Sequence, residues 1–189
     1  MISLIVFLFC VFVVLAVGAL AGLSDLRSMT IPNIYSVYVI AAFVVAYLTL
    51  FLSGNDNVFG SLSSHLISVF GAFVVTFCLF VTKVIGAGDS KFGSACALWV
   101  SAKYLPIFLF FMALVGGVLG VVALILKRKK PIENPVEGSW VHQVQSGADK
   151  VPYGVAIAFG MLIAFVHAGY FSTDVLSSFL AVHSSGSGS

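Results

Sequence analysis

The residues with the clearest capacity for chemistry lie in the stretch 86–91, GAGDSK, at the seam between two long apolar runs. This stretch places Asp89 between a pair of glycines and Lys91. An ionisable side chain at a membrane boundary is energetically costly and by default marks a functional site. Because Gly86 and Gly88 lack a Cβ, the backbone can bend tightly there and another chain can come close. A site that grips an extended peptide requires both properties.

A second carboxylate, Asp25, lies where the first apolar run stops, in the stretch 24–33, SDLRSMTIPN. Two aspartates at the ends of different membrane helices can meet if both lie on one side of the bilayer. Such a pair shares one proton, because two carboxylates around one water cannot comfortably both ionise. One takes a proton from the water and the other donates one to a scissile carbonyl, the chemistry of an aspartic protease. A helix N-terminus near Asp89 would favour Asp89 as the charged partner, but the sequence does not assign the two roles.

The composition predicts that the elements positioning these carboxylates are membrane helices. Of the 189 residues, 60% are hydrophobic and 8% are charged, and the mean hydropathy is +1.14. Ordinary globular domains are about 25% charged. We therefore predict one all-α integral membrane domain over residues 1–172, followed by a short interfacial segment and a Ser/Gly-rich tail over 173–189. We expect no nucleic-acid partner, and the sequence does not predict the oligomeric state.

The apolar runs predict six transmembrane helices, since at about 1.5 Å per residue about 20 residues cross a hydrocarbon core about 30 Å thick. The run 92–126 would form a helix about 52 Å long, so it must turn, and Lys103 and Pro106 mark the turn. A cleavable signal peptide is the alternative for the first run, but that run lacks a basic n-region. The predicted helices are 1–23, 34–52, 62–82, 90–101, 107–126 and 151–170, and the short fourth helix suits a site sunk below the membrane surface.

The basic residues predict the orientation of these six helices. With both termini outside, eight of the nine basic residues are cytoplasmic and only Lys103 is external. The same orientation places Asp25 and Asp89 together at the cytoplasmic face. The eight are Arg27, Lys83, Lys91, Lys127, Arg128, Lys129, Lys130 and Lys150.

Each of these features also has a simpler structural interpretation. Asp89 could only cap a helix N-terminus, and Asp25 with Arg27 could be a solvated ion pair. Pro32 could only mark a helix start. These interpretations do not explain why both carboxylates lie on one face beside glycines.

Two other classes of function remain as alternatives. A small proton-coupled transporter or channel would use Asp25 and Asp89 along a polar path, since intramembrane carboxylates often serve that purpose. Both carboxylates lie at one face, however, and Asp56 and Asp174 are predicted at the outer side. The third class is an assembly subunit without catalysis.

The remaining motifs predict packing rather than chemistry. The glycines of the stretch 116–120, GGVLG, have the spacing of close helix packing. The cysteines Cys10, Cys78 and Cys96 are isolated in apolar runs and are expected to be small buried hydrophobes. The four histidines are scattered without ligand spacing. We expect no metal and no cofactor.

Three motifs together resemble the prepilin peptidase family, membrane aspartic proteases with a GxGD signature. They are D-x-R-x-x-x-IPN at 25–33, GxGDxK at 86–91 and the proline-aromatic-glycine start of the last helix at 151–154. GxGD alone also occurs in presenilin-like and signal-peptide-peptidase-like enzymes, whereas the three motifs in this order are more specific. The resemblance spans residues 1–170 and implies the GxGD-type membrane fold.

The resemblance implies removal of the short basic leader from type IV prepilins or pseudopilins at the cytoplasmic face of the bacterial inner membrane, with Asp25 and Asp89 as the catalytic pair. The implied partners are the prepilin, with its leader and hydrophobic N-terminal helix, and the lipid bilayer. Lys91 and Arg27 would either orient the pair or face lipid headgroups. The other motif positions would support the site or contact substrate: Gly86, Gly88, Pro32, Asn33, Pro152, Tyr153 and Gly154.

Two departures from the family pattern bear on specificity. Bifunctional members carry a cytoplasmic segment with paired CxxC motifs, which goes with N-methylation of the new amino terminus. Here about ten residues separate the first two predicted helices and no CxxC exists. The short form resembles the Tad/Flp-pilin type of peptidase. Phe92 replaces a leucine that is common after the motif lysine, a change with no catalytic consequence.

Overall fold

The computed structural model describes residues 2–55, 58–173, 175 and 177, and its regular structure over these residues is entirely helical. Its helices are α1 (Ile2–Ser28), α2 (Asn33–Leu52), α3 (Leu62–Val81), α4 (Ala87–Ala97), α5 (Leu105–Lys129), α6 (Trp140–Gln145) and α7 (Tyr153–His167). Helices α1, α2, α3 and α5 are long and apolar enough to cross a membrane, and α7 is a shorter apolar helix. The predicted all-α membrane class is confirmed. Asp56, Asp174 and most of the predicted interfacial segment and tail lie outside the described residues.

Two helices run further toward the loops than the apolar runs predict. Helix α1 was predicted to end at Leu23 but continues to Ser28, so Asp25 lies inside its last two turns. Arg27 in the final turn complements the helix dipole, and Met29 ends the helix in the left-handed conformation at φ 54°. Helix α5 includes Pro106, because the first turn of a helix tolerates proline.

Helix α4 is the shortest of the helices that reach into the core. Its 11 residues extend about 16 Å, too little to cross a bilayer alone. Beyond its C-terminal end, buried Trp99 donates from Nε1 to the Val39 carbonyl at 3.0 Å, and the Tyr170 hydroxyl donates to the Trp99 carbonyl at 2.7 Å. These bonds tie that end of α4 to α2 and to the segment after α7. The N-terminal end of α4 remains available for the candidate site.

The stretch 131–150, which the sequence leaves as a polar loop between the last two predicted helices, is in part a packed structure. Helix α6 buries Trp140 and Val144 against Ala123 of α5, and Leu26 and Met29 contact the same cluster. The indole Nε1 of Trp140 donates to the Lys150 carbonyl at 2.9 Å. The stretch therefore covers the ends of α1 and α5 and holds the residues that precede α7.

The predictions for the glycine stretch and for the three cysteines are only partly in agreement with the structure. Of the glycine stretch in α5, Gly116 packs closely, because a Cβ there would lie 2.7 Å from Cε1 of Tyr153, whereas no heavy atom lies within 4 Å of a Cβ on Gly117. Cys10 and Cys96 are buried as expected, but the expectation for Cys78 is wrong because its side chain is exposed. Cys78 lies on an apolar helix surface where a lipid-facing thiol costs little.

Candidate active site

Asp25 is buried, with 3% of its surface exposed, and its carboxylate is anchored by a backbone amide from the far end of the chain. The Gly154 N–H donates to Oδ2 of Asp25 at 2.7 Å. A side chain at Gly154 would not fit, because a Cβ there would lie 3.0 Å from the Asp25 Cβ and 3.1 Å from the Ala21 carbonyl oxygen. The glycine allows α1 and the start of α7 to approach closely enough for this bond.

Asp89 lies in the first turn of α4 and is anchored by its own helix. The Gly86 N–H donates to Oδ2 of Asp89 at 2.8 Å, a contact characteristic of a capping box. The capping role that the sequence left open for Asp89 is therefore present. The capping hydrogen bond uses one of the two carboxylate oxygens, Oδ2. Within the part of the chain that the structure describes, Oδ1 of Asp89 and Oδ1 of Asp25 accept no hydrogen bond from the protein.

Ile31 lies in the connection between α1 and α2, within the first motif, and it contacts glycines of the other two motifs. Its Cδ1 lies 3.0 Å from the position of a Cβ on Gly154, and its carbonyl oxygen lies 3.4 Å from that of a Cβ on Gly88. The connection thus packs between the start of α4 and the start of α7. Sequence reasoning did not select Ile31 as a site residue, although an apolar residue at the start of the IPN motif, directly after the polar Thr30, was a signal.

A single cavity of about 240 Å³ brings Asp25 and Asp89 together at one end of the helix bundle. This volume exceeds the share of one water in the liquid, about 30 Å³, several times over. It can therefore hold a water between the carboxylates together with part of a peptide. The cavity is also lined by Met29, Phe80, Lys83, Val84, Ile85, Gly86, Asp149, Lys150 and Val151.

The other predicted site residues lie around this cavity rather than in its wall. Lys91 and Arg27 are exposed, and neither forms an ion pair among the residues described. Pro32 and Asn33 are exposed at the start of α2. Of the residues that begin α7, Pro152 is buried and Tyr153 places its ring against Gly116 of α5, so both support the helix start that carries Gly154.

Fold and cavity together define a class: a multi-pass helical membrane protein with two carboxylates converging at one end of its helices. The profile of the type IV leader peptidase family matches residues 7–121, more than half of the chain and a span that includes both aspartates. The chain belongs to this family, and so to the peptidases of the membrane that act on leader peptides. No curated protein and no solved structure matches the chain.

Proposed function

We propose that this protein is a membrane aspartic endopeptidase that cleaves the basic leader from type IV prepilins or pseudopilins of the Flp/Tad type. The catalytic residues are Asp25 and Asp89. The single observation that carries the proposal is their convergence on one cavity, each anchored through Oδ2 and with an Oδ1 that accepts no hydrogen bond from the described residues. Membership in the leader peptidase family supplies the reaction class.

The mechanism follows from this anchoring. The two carboxylates hold one water between their free oxygens and share one proton. One carboxylate takes a proton from the water as it attacks the scissile carbonyl, and the other donates its proton to the carbonyl oxygen. The Gly154 and Gly86 amides fix the orientation of the two groups throughout, so little reorganisation is needed during the reaction.

The substrate is a prepilin whose hydrophobic helix stays in the bilayer while its leader enters the cavity. The cavity lies at the end of the helices where the basic residues Lys83 and Lys150 also lie. By the positive-inside rule this end faces the cytoplasm, in the bacterial inner membrane, and both chain termini are external.

The proposed activity is proteolysis without N-methylation. The cysteines Cys10, Cys78 and Cys96 include no CxxC pair. Only residues 29–32 connect α1 and α2, so the position where bifunctional relatives of this family insert a cysteine-rich segment is occupied by a tight connection. This short form supports assignment to the Flp/Tad type.

A cleavage assay tests the proposal. The purified protein in liposomes is incubated with an Flp-type prepilin, and the mature pilin is detected by mass. We expect cleavage by the wild type and none by Asp25→Asn or Asp89→Asn. Cleavage by both variants at the wild-type rate, with both correctly folded, would refute the dyad. A proton-coupled transporter would instead show Asp25-dependent proton flux across the liposomes and leave the prepilin intact.

A further inference from the structure

Asp149 is a third carboxylate in the wall of the catalytic cavity, and the water-activating pair does not use it. The packed stretch 131–150 fixes its place. Trp140 and Val144 are 6% and 0% exposed, and the Trp140 indole bonds to the carbonyl of Lys150, the next residue along the chain. Asp149 is thus held at the cavity wall by a packed, hydrogen-bonded segment.

The partner of Asp149 is a lysine of the same chain. Nζ of Lys127, in the last turn of α5, forms an ion pair with Oδ1 of Asp149. The Asp149 side chain is 80% exposed, and ion pairs between exposed side chains contribute little to folding stability. The pair therefore does not hold the segment in place, and another cation can replace Lys127 at little cost.

The position of the pair favours such an exchange. A second cavity of about 140 Å³ is lined by Lys127 and Asp149 and shares Asp149, Lys150 and Val151 with the catalytic cavity. The ion pair thus lies where the two cavities meet. Lys83 and Lys150 also line the catalytic cavity and repel a cation, and outside the catalytic pair Asp149 is the lining residue whose charge attracts one.

We propose that Asp149 is a specificity-determining residue that binds a cationic side chain of the substrate's leader, and that Lys127 occupies this site until the substrate displaces it. The inference rests on the proposed peptidase function, and the cation is a lysine or arginine of the basic leader. Binding that cation at the cavity wall sets which peptide bond reaches Asp25 and Asp89.

Separate measurement of kcat and KM with the purified protein and a prepilin tests this assignment. Asp149→Asn should raise KM by up to about fivefold, the effect expected of an ion pair at a largely exposed carboxylate, and leave kcat within about twofold. Lys127→Gln should leave KM unchanged or lower it, because the competing cation is gone. The matched control is Glu137→Gln, an exposed carboxylate of the same stretch that lines neither cavity and should change nothing.

A purely structural ion pair makes the opposite prediction for Lys127. Removing either partner would then have the same effect, so a KM increase in Lys127→Gln equal to that of Asp149→Asn would overturn the proposal. A substrate whose leader cation is replaced by glutamine gives a test that needs no folded Asp149 variant. The wild type should cleave it with KM raised by up to about fivefold. An unchanged KM for the wild type overturns the proposal.

The Asp149→Asn enzyme can also be assayed with the substrate whose leader cation is replaced by glutamine. If Asp149 contacts the cation, Asp149→Asn should not further raise KM for the neutral leader, and fully additive effects would refute the contact. Failure of this inference is distinguishable from failure of the proposed function. Cleavage that depends on Asp89 but not on Asp149 refutes only the specificity site, whereas an inactive wild type refutes both.

Discussion

The two candidate catalytic carboxylates are anchored in different ways. Asp89 depends on its own helix, because its amide partner is Gly86 three residues earlier. Asp25 depends on tertiary packing, because its partner Gly154 is 129 residues away in the sequence. Asp25 is therefore the more sensitive of the two to any change that moves α7 relative to α1.

We predict that the two aspartates act as a unit. Asp25→Asn and Asp89→Asn should each reduce cleavage on the order of a thousandfold or more, and the double variant should be hardly worse than either, because cooperating catalytic groups are strongly non-additive. Rates of prepilin cleavage by the three variants check this. Asn caps a helix about as well as Asp, so Asp89→Asn should remain folded. Substantial cleavage by that variant would return Asp89 to a capping role alone.

A second prediction at this scale concerns Gly154. In Gly154→Ala the new Cβ would lie 3.0 Å from the Asp25 Cβ and 3.1 Å from a backbone oxygen of α1, so α7 must shift and the bond to Asp25 lengthens. We expect a loss of about 1–3 kcal/mol in stability and at least tenfold in cleavage rate. Gly117→Ala is the control, since no heavy atom lies within 4 Å of its added Cβ. Equal behaviour of the two variants would contradict the packing argument.

At the scale of elements, the site is an assembly of three helix ends around one short connection. Residues 29–32 pass between the starts of α4 and α7, and Ile31 contacts both. The opposite end of α4 is tied down through Trp99. A helix too short to cross the membrane is thereby held with its N-terminus, and Asp89, beside α1.

We predict that Ile31 maintains this arrangement. Ile31→Ala removes the side chain that separates Gly154 from the start of α4, and such truncations of buried aliphatic residues cost about 2–5 kcal/mol. Since Ile31 is only half-buried, we expect the lower end of that range, together with a reduced kcat. Thermal unfolding and single-turnover cleavage measure the two effects. Ile34→Ala, three residues later with 45% exposure, should alter neither by a comparable amount.

At the scale of the whole molecule, four charged residues besides the two aspartates lie around one end of the bundle. Lys83, Lys150 and Asp149 line the cavity that holds both aspartates, and Lys127 reaches the same region. We predict that a reporter fused after Lys130 behaves as cytoplasmic and one at Asn55 as external. The accessibility of such fusions to added protease, or the activity of an alkaline phosphatase reporter, checks the orientation. The reverse pattern would separate the site from a cytoplasmic leader.

A further prediction at this scale concerns the product. Because residues 29–32 leave no room for a cysteine-rich segment, a system containing this protein alone should release a pilin with an unmethylated amino terminus. Mass spectrometry of the cleaved pilin measures this directly. A methyl group added by the purified protein would be incompatible with the proposal.

The sequence by itself determined the membrane class and drew attention to Asp25 and Asp89. Long uncharged runs read directly as membrane helices because their length must match the bilayer. Carboxylates at the ends of such runs are conspicuous because burying a charge is costly. The helix boundaries were less well predicted, since α1 and α5 continue past their apolar runs where charged residues suit the C-terminal dipole.

Only the tertiary structure decided how the site is assembled. Three contacts join positions far apart in the chain: the hydrogen bond from Gly154 to Asp25, the packing of Ile31 between α4 and α7, and the packing of Trp140 against α5. Local sequence patterns carry no information on such pairs. The stretch 131–150 reads as a polar loop because its few apolar residues have no helical periodicity long enough to detect. Its burial against α1 and α5 placed Asp149 in the cavity wall, because the ends of those helices offered the apolar surface that Trp140 and Val144 cover.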